Sequence, residues 1–236
     1  MPLLAALALG LGSILREPIS TGAQPASLPD AVSAVRATPR LALATRTDVI
    51  LALALPVGML TPAITVATSA VHYLWLIALA GGVGALVGTS WVTIVWNRMC
   101  PARLLRRAAA VLVAALAVQA LFVAGGTPTA AWMAAVFVTV MSAEGAMTAM
   151  FAVTGSLVQA DAPENARGVV TGLAQSAKHL AAFLSAAVTS VVMAWAGPAI
   201  SLGLIAFALA AAAFRLRGFI GLAARIENEK ALISVS

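Results

Sequence analysis

The stretch GLAQSAKHLAAFLSAAVTSVVMAWAGP (residues 172–198) decides the class of fold, because it is long, apolar and almost free of charge. Over residues 169–214, Lys178 is the one residue with a formal charge, and the titratable ring of His179 stands beside it. An α-helix needs about 20 mostly apolar residues to cross the hydrocarbon core of a bilayer. The stretch therefore predicts a membrane-spanning helix that carries two polar side chains at an unusual depth.

The composition of the whole chain is that of a membrane protein. Of its 236 residues, 62% are hydrophobic and 9% are charged, whereas a soluble domain carries roughly 25% charged residues. The net charge of +6 is compatible with nucleic-acid binding, but the chain has no basic stripe interleaved with aromatic residues. We therefore expect the lipid bilayer, and not nucleic acid, as the main partner. The single cysteine, Cys100, excludes a disulfide within the chain.

Charged residues and turn signals divide the chain into a series of predicted helices. Gly125-Gly126 and Gly197-Pro198 interrupt two long apolar runs, as turn residues do. Six segments are long and apolar enough to cross a bilayer. The predicted spans are residues 48–70, 74–96, 107–124, 130–159, 168–195 and 199–216.

The predicted fold class is an all-α integral membrane protein, with a six-helix transmembrane bundle at residues 48–217. Residues 1–15 are predicted to be a partial helix, because about 13 apolar residues reach only ~20 Å. Residues 16–47 form a predicted linker with a short interfacial helix at 28–39, and residues 218–236 form a tail.

The basic residues indicate how the bundle lies in the membrane. All the loops on one face carry arginine, and the turns on the opposite face carry no charge. Basic loops stay on the cytoplasmic side of a membrane. We therefore expect a multi-pass protein of the cell (plasma) membrane with the linker and the tail in the cytoplasm. The basic residues that decide this are Arg16, Arg36, Arg40, Arg46, Arg98, Arg103, Arg106, Arg107, Arg167, Arg215, Arg217, Arg225 and Lys230.

Glycines predict where helices pack closely. Gly84 and Gly88, within GGVGALVG (81–88), have the spacing that lets two membrane helices approach. Gly168 and Gly172 repeat this spacing.

Three stretches are similar to the major facilitator superfamily of transporters. GSLVQADAPENARGVVTGL (155–173) resembles the cytoplasmic link between the tenth and eleventh helices of its drug-exporter branches. LPDAVSAVRATPRLAL (28–43) is similar to the stretch before the seventh helix of macrolide-type exporters. WNRMCPARLLRRAAAVL (96–112) takes the place of the basic loop after the eighth helix, with only the arginine cluster kept. The resemblance implies a twelve-helix parent fold, of which this chain supplies helices seven to twelve and, at residues 1–15, a remnant of helix six.

Ionisable side chains at membrane depth give the candidate site. They are Glu144, Lys178 and His179. A charge at the bilayer centre costs at least about 2.5–3.5 kcal/mol, so each needs a partner or a wet cavity. We expect Glu144 to pair with Lys178 or with His179, with Lys178 as the favoured counter-ion. His179 and Gln175, four residues apart on one helix face, are expected to line a cavity. A purely structural bridge stays open beside substrate binding or proton coupling.

The resemblance implies secondary active transport: proton-coupled export of an amphiphilic small molecule by alternating access. The expected partners are this substrate and protons. No enzyme activity, metal or cofactor is expected, since the phosphate-loop, HExxH and GxSxG motifs are absent from the sequence. The alternative is a truncated or split half-transporter that is inactive without a partner six-helix half.

Overall fold

The computed structural model describes residues 27–57, 73–96, 98–125 and 129–233, with side chains as far as residue 214. Within these ranges every regular element is helical. The α-helices are α1 (Leu28–Ala37), α2 (Pro39–Leu51), α3 (Leu74–Val95), α4 (Pro101–Ala124), α5 (Ala130–Asp161) and α6 (Arg167–Ile233), and a 3₁₀ turn at Ala52–Ala54 follows α2. The predicted remnant at residues 1–15 lies outside the described residues.

Helix α1 forms because its first turn is capped on both sides. The Ser27 hydroxyl accepts a hydrogen bond from the Asp30 amide, and the Asp30 carboxylate accepts one from the Ser27 amide. Hydrogen bonds from the Ser27 hydroxyl and amide hold the pKa of Asp30 below its ordinary value. This confirms the short helix predicted at 28–39. Pro39, the last residue of the predicted range, instead occupies the first turn of α2.

Most of helix α2 lies within the range predicted as a linker, residues 16–47, yet the helix packs into the bundle. Leu41, Ala42, Leu43 and Ala44 are all buried, and α2 contacts both α5 and α6. These side chains are apolar, so burying them against the long helices stabilises the packing of α2 in the bundle.

The number of spans differs from the prediction. Among the described residues, four helices are long and apolar enough to cross a membrane: α3, α4, α5, and α6 as far as Phe214. A count of six spans is therefore not supported. The predicted span at 48–70 begins inside α2 and lies mostly outside the described residues, and the last two predicted spans share the single helical segment α6.

Gly197 interrupts α6 at the predicted break. Its φ of 82° and ψ of 172° are not helical, and glycine adopts this positive φ without the steric cost that a Cβ would bring. Residues on both sides of Gly197 line one cavity of about 530 Å³, among them Ser185 and Val192 before it and Ser201 and Ala208 after it. The chain therefore folds back on itself at Gly197.

Helices α3 and α5 approach closely enough to exclude side chains between them. A Cβ built at Gly84 would overlap the carbonyl oxygen of Met141, and one built at Gly88 would overlap that of Gly145. The close-packing prediction is confirmed for this pair. For Gly168 and Gly172 it finds no support in the described part of the chain, where an added Cβ would meet no heavy atom from a neighbouring helix within 4 Å.

Large apolar side chains cover the outside of the bundle. Leu86 on α3, Phe183 and Trp195 on α6 are 71%, 70% and 89% exposed. Water-soluble monomers rarely expose so much contiguous apolar surface. Together with the four long apolar helices, this surface indicates a membrane protein.

Candidate polar site inside the helix bundle

Asp48 is a buried carboxylate in the last turn of α2. Its side chain is 5% exposed, and its Oδ1 accepts a hydrogen bond from the Oγ1 of Thr154 on α5. Thr154 is fully buried, and its hydroxyl also lies 3.0 Å from the carbonyl oxygen of Met150. Because a hydroxyl has one proton to donate, the carboxylate and the carbonyl compete for it. Thr154 therefore satisfies one Asp48 oxygen without neutralising the charge.

A positive charge that acts on this carboxylate comes from α6. The Lys178 side chain is half-buried, and its Nζ lies 4.2 Å from the centroid of the Phe151 ring. This is within the ~6 Å range of a cation–π contact. The same ammonium stabilises the Asp48 carboxylate electrostatically. Asp48, Thr154, Phe151 and Lys178 are called the polar cluster below, and they join helices α2, α5 and α6.

The polar cluster lies well inside the bundle. Helix α2 runs antiparallel to α5, since Arg40 forms an ion pair of 3.2 Å with Asp161 while Asp48 contacts Thr154. Phe151 stands about ten residues before Asp161, which places it ~15 Å along α5 from that end. Lys178 is at a similar distance from the start of α6, so its ammonium reaches sideways to a ring at its own level.

The predicted pairing of Glu144 with Lys178 is wrong. Within the described part of the chain, Glu144 forms no ion pair with Lys178 or His179 and has no charged neighbour that stabilises it. It lies about seven residues beyond Phe151 on α5, or ~10 Å farther from the loop. Its side chain turns towards α3, where a Cβ added at Gly81 would stand 3.6 Å from the Glu144 Cγ. Lys178 finds its partners at its own level, so it does not extend to that depth.

Gln175 and His179 lie on α6 beside the polar cluster but do not join it. Both side chains are exposed, on the shared face that their spacing of four predicts. Their role at a cavity stays a prediction. Glu144, which is half-buried on α5, also stays a candidate apart from the polar cluster.

Asp48 and Thr154 were not predicted as site residues. Because the first predicted span begins at residue 48, the prediction places Asp48 at the membrane surface. The helical spacing of Leu41, Ala44, Asp48 and Leu51 was the available signal, because these four share the buried face of α2. Thr154 gave no signal of its own, since threonines are common in apolar helices.

The described residues contain no group of three or more histidine, cysteine, aspartate or glutamate side chains placed to hold a metal ion. The polar cluster itself offers a carboxylate that can take up a proton, a hydroxyl donor and an ammonium. No family model matches the sequence, and neither the curated proteins nor the solved structures contain a match to it.

Proposed function

We propose that this chain is a secondary active transporter whose polar cluster couples proton exchange to movement of a small molecule. The observation that carries the proposal is the contact of Asp48 with Thr154 and the nearby Lys178, inside a bundle of apolar helices. Ionisable groups at membrane depth are rare and costly, and they mark ion and substrate pathways. A purely structural role would be served as well by apolar side chains.

Proton uptake at Asp48 gives a physical route to coupling. As long as the carboxylate is charged, it attracts the Lys178 ammonium and accepts the Thr154 hydrogen bond. Protonation removes the charge that attracts Lys178. Contacts between α2, α5 and α6 then weaken together, and the equilibrium between two arrangements of these helices shifts.

The kind of transport follows from the family resemblance of residues 155–173. We propose export of an amphiphilic small molecule by alternating access, with protons moving in the opposite direction. Gln175 and His179, exposed on α6, would face the pathway at the level of the polar cluster.

A split half-transporter is the second candidate, and the exposure of Gln175 and His179 favours it. Both side chains are exposed near the middle of an apolar helix segment. Polar groups at this depth are costly against lipid and normally face protein or a wet cavity. A second six-helix half would cover them.

One transport assay separates these possibilities. Vesicles that hold the purified chain, alone or with a co-expressed six-helix half, are given a proton gradient, and accumulation of a fluorescent amphiphilic dye is measured. We expect Asp48→Asn to lower gradient-driven accumulation at least tenfold, since the amide cannot exchange a proton. Asp30→Asn removes an exposed carboxylate and is the matched control.

Each outcome of this assay decides something. Dye accumulation in vesicles that hold this chain alone contradicts the split half-transporter. Dye accumulation that requires the second six-helix half contradicts the proposal that this chain transports by itself. Full gradient dependence in Asp48→Asn contradicts the proton-coupling role of the polar cluster. Loss of transport in Glu144→Gln but not in Asp48→Asn would move that role to Glu144.

A further inference from the structure

An open groove separates α4 from the second half of α6. It has a volume of about 370 Å³, and its lining also includes Thr47 on α2 and Met150 on α5, which precede Asp48 and Phe151 of the polar cluster in the sequence. Small side chains make its walls, which is why the two helices leave space there. The wall residues with the smallest side chains are Ala109, Ala110, Ala114, Ala210 and Ala213.

Arg106 is the charged residue of the groove lining. In the described part of the chain, its guanidinium has neither a hydrogen-bond acceptor nor an ion pair, and its side chain is exposed. Other arginines near the same end differ, since Arg40 pairs with Asp161 and Arg107 contacts the sulfur of Met99 at 3.5 Å. A guanidinium beside an apolar groove is therefore left available for an outside anion.

The groove has the proportions of an acyl chain with a charged head. Arg106 and Ala114 are about two turns apart on α4, or ~12 Å along the helix axis. The charge thus stands at one end and the apolar walls continue from it. On α6 the lining ends at Phe214, which Arg215 and Arg217 follow in the sequence. The arginine-rich end of the groove is the end expected at the lipid headgroups.

From this arrangement we infer that the groove binds an anionic phospholipid of the bilayer. The phosphate is held by Arg106, and one acyl chain lies between α4 and α6. Guanidinium groups bind phosphate oxygens through two parallel hydrogen bonds, and basic pockets between membrane helices hold anionic head groups. The exposed Ala110 and Ala114 leave the groove open sideways, so a lipid enters it from the bilayer.

Native mass spectrometry of the purified full chain in neutral detergent tests this site. Phosphatidylglycerol and phosphatidylcholine with the same acyl chains are added in equal amounts, and the bound fractions are compared. We expect preferential retention of phosphatidylglycerol. Arg106→Gln should weaken that retention about tenfold, which is the effect of losing one charge-assisted hydrogen-bonding group. Arg167→Gln removes the same charge outside the groove and should leave the retention unchanged.

A second variant tests the acyl chain separately. Ala110→Trp fills the groove from an exposed position, so it should reduce phosphatidylglycerol binding as strongly as Arg106→Gln while thermal melting shows an intact fold. The proposal is overturned if Ala110→Trp binds normally, if inorganic phosphate competes as well as the lipid, or if Arg167→Gln causes an equal loss. Equal retention of both lipids would overturn it too. None of these readouts depends on transport, so they fail or succeed independently of the proposed function.

Discussion

At the scale of single residues, the buried carboxylate of Asp48 depends on its neighbours for stabilisation. Thr154 supplies it with a hydrogen bond, and Lys178 supplies opposite charge while resting on the Phe151 ring. Removing the ammonium leaves the carboxylate with less compensation in an apolar environment, and we expect this to cost more than removing both charges.

A double-mutant comparison follows at this scale. Lys178→Met should lower the free energy of unfolding by about 1–3 kcal/mol, because Thr154 is then the remaining polar partner of the buried Asp48 carboxylate. Asp48→Asn combined with Lys178→Met should recover part of that loss. Thermal melting in detergent measures both. Glu144→Gln combined with Lys178→Met is the control, and its effects should add, since these residues are not partners. Additive effects for Asp48 and Lys178 as well would show that they do not interact.

At the scale of elements, glycines let the backbones of α3 and α5 touch, and this contact sets the distance between the two helices. Gly88 faces the backbone of Gly145 and cannot gain a Cβ unless one helix moves. Gly172 on α6 has the same spacing in sequence but open space around it. Spacing alone therefore predicts that two helices can approach, and the partner helix decides whether they do.

These two glycines give a matched pair of variants. Gly88→Ala should destabilise the protein by about 1–3 kcal/mol, since the added methyl group forces the two backbones apart. Gly172→Ala should be neutral or stabilise by up to about 1 kcal/mol, because alanine favours the helix and its methyl group meets no neighbouring helix in the described part of the chain. Thermal melting of both variants checks the difference. Equal melting temperatures would mean that α3 and α5 are not in close contact.

At the scale of the whole molecule, the sequence was sufficient to predict an all-helical membrane protein, the helix at 28–39 and the break at Gly197. Apolar length and turn residues are local signals, and these features depend on nothing else. The polar cluster could not be predicted, because it depends on how three helices are aligned. Lys178 lies at the level of Phe151 and not of Glu144. Asp48, whose position in the sequence predicts the end of a membrane span, is buried inside the bundle.

The central claim is that the first half of α6 spans the bilayer and places Lys178 inside it. Cysteine labelling tests this claim most directly. In a Cys100→Ser background, Asn165→Cys places a thiol in the loop before α6, and Ala196→Cys places one beside Gly197; both positions are exposed. An impermeant maleimide is applied to intact cells and then to permeabilised cells. We predict that Ala196→Cys is labelled in intact cells and Asn165→Cys only after permeabilisation. Labelling of both from the same side would contradict the account.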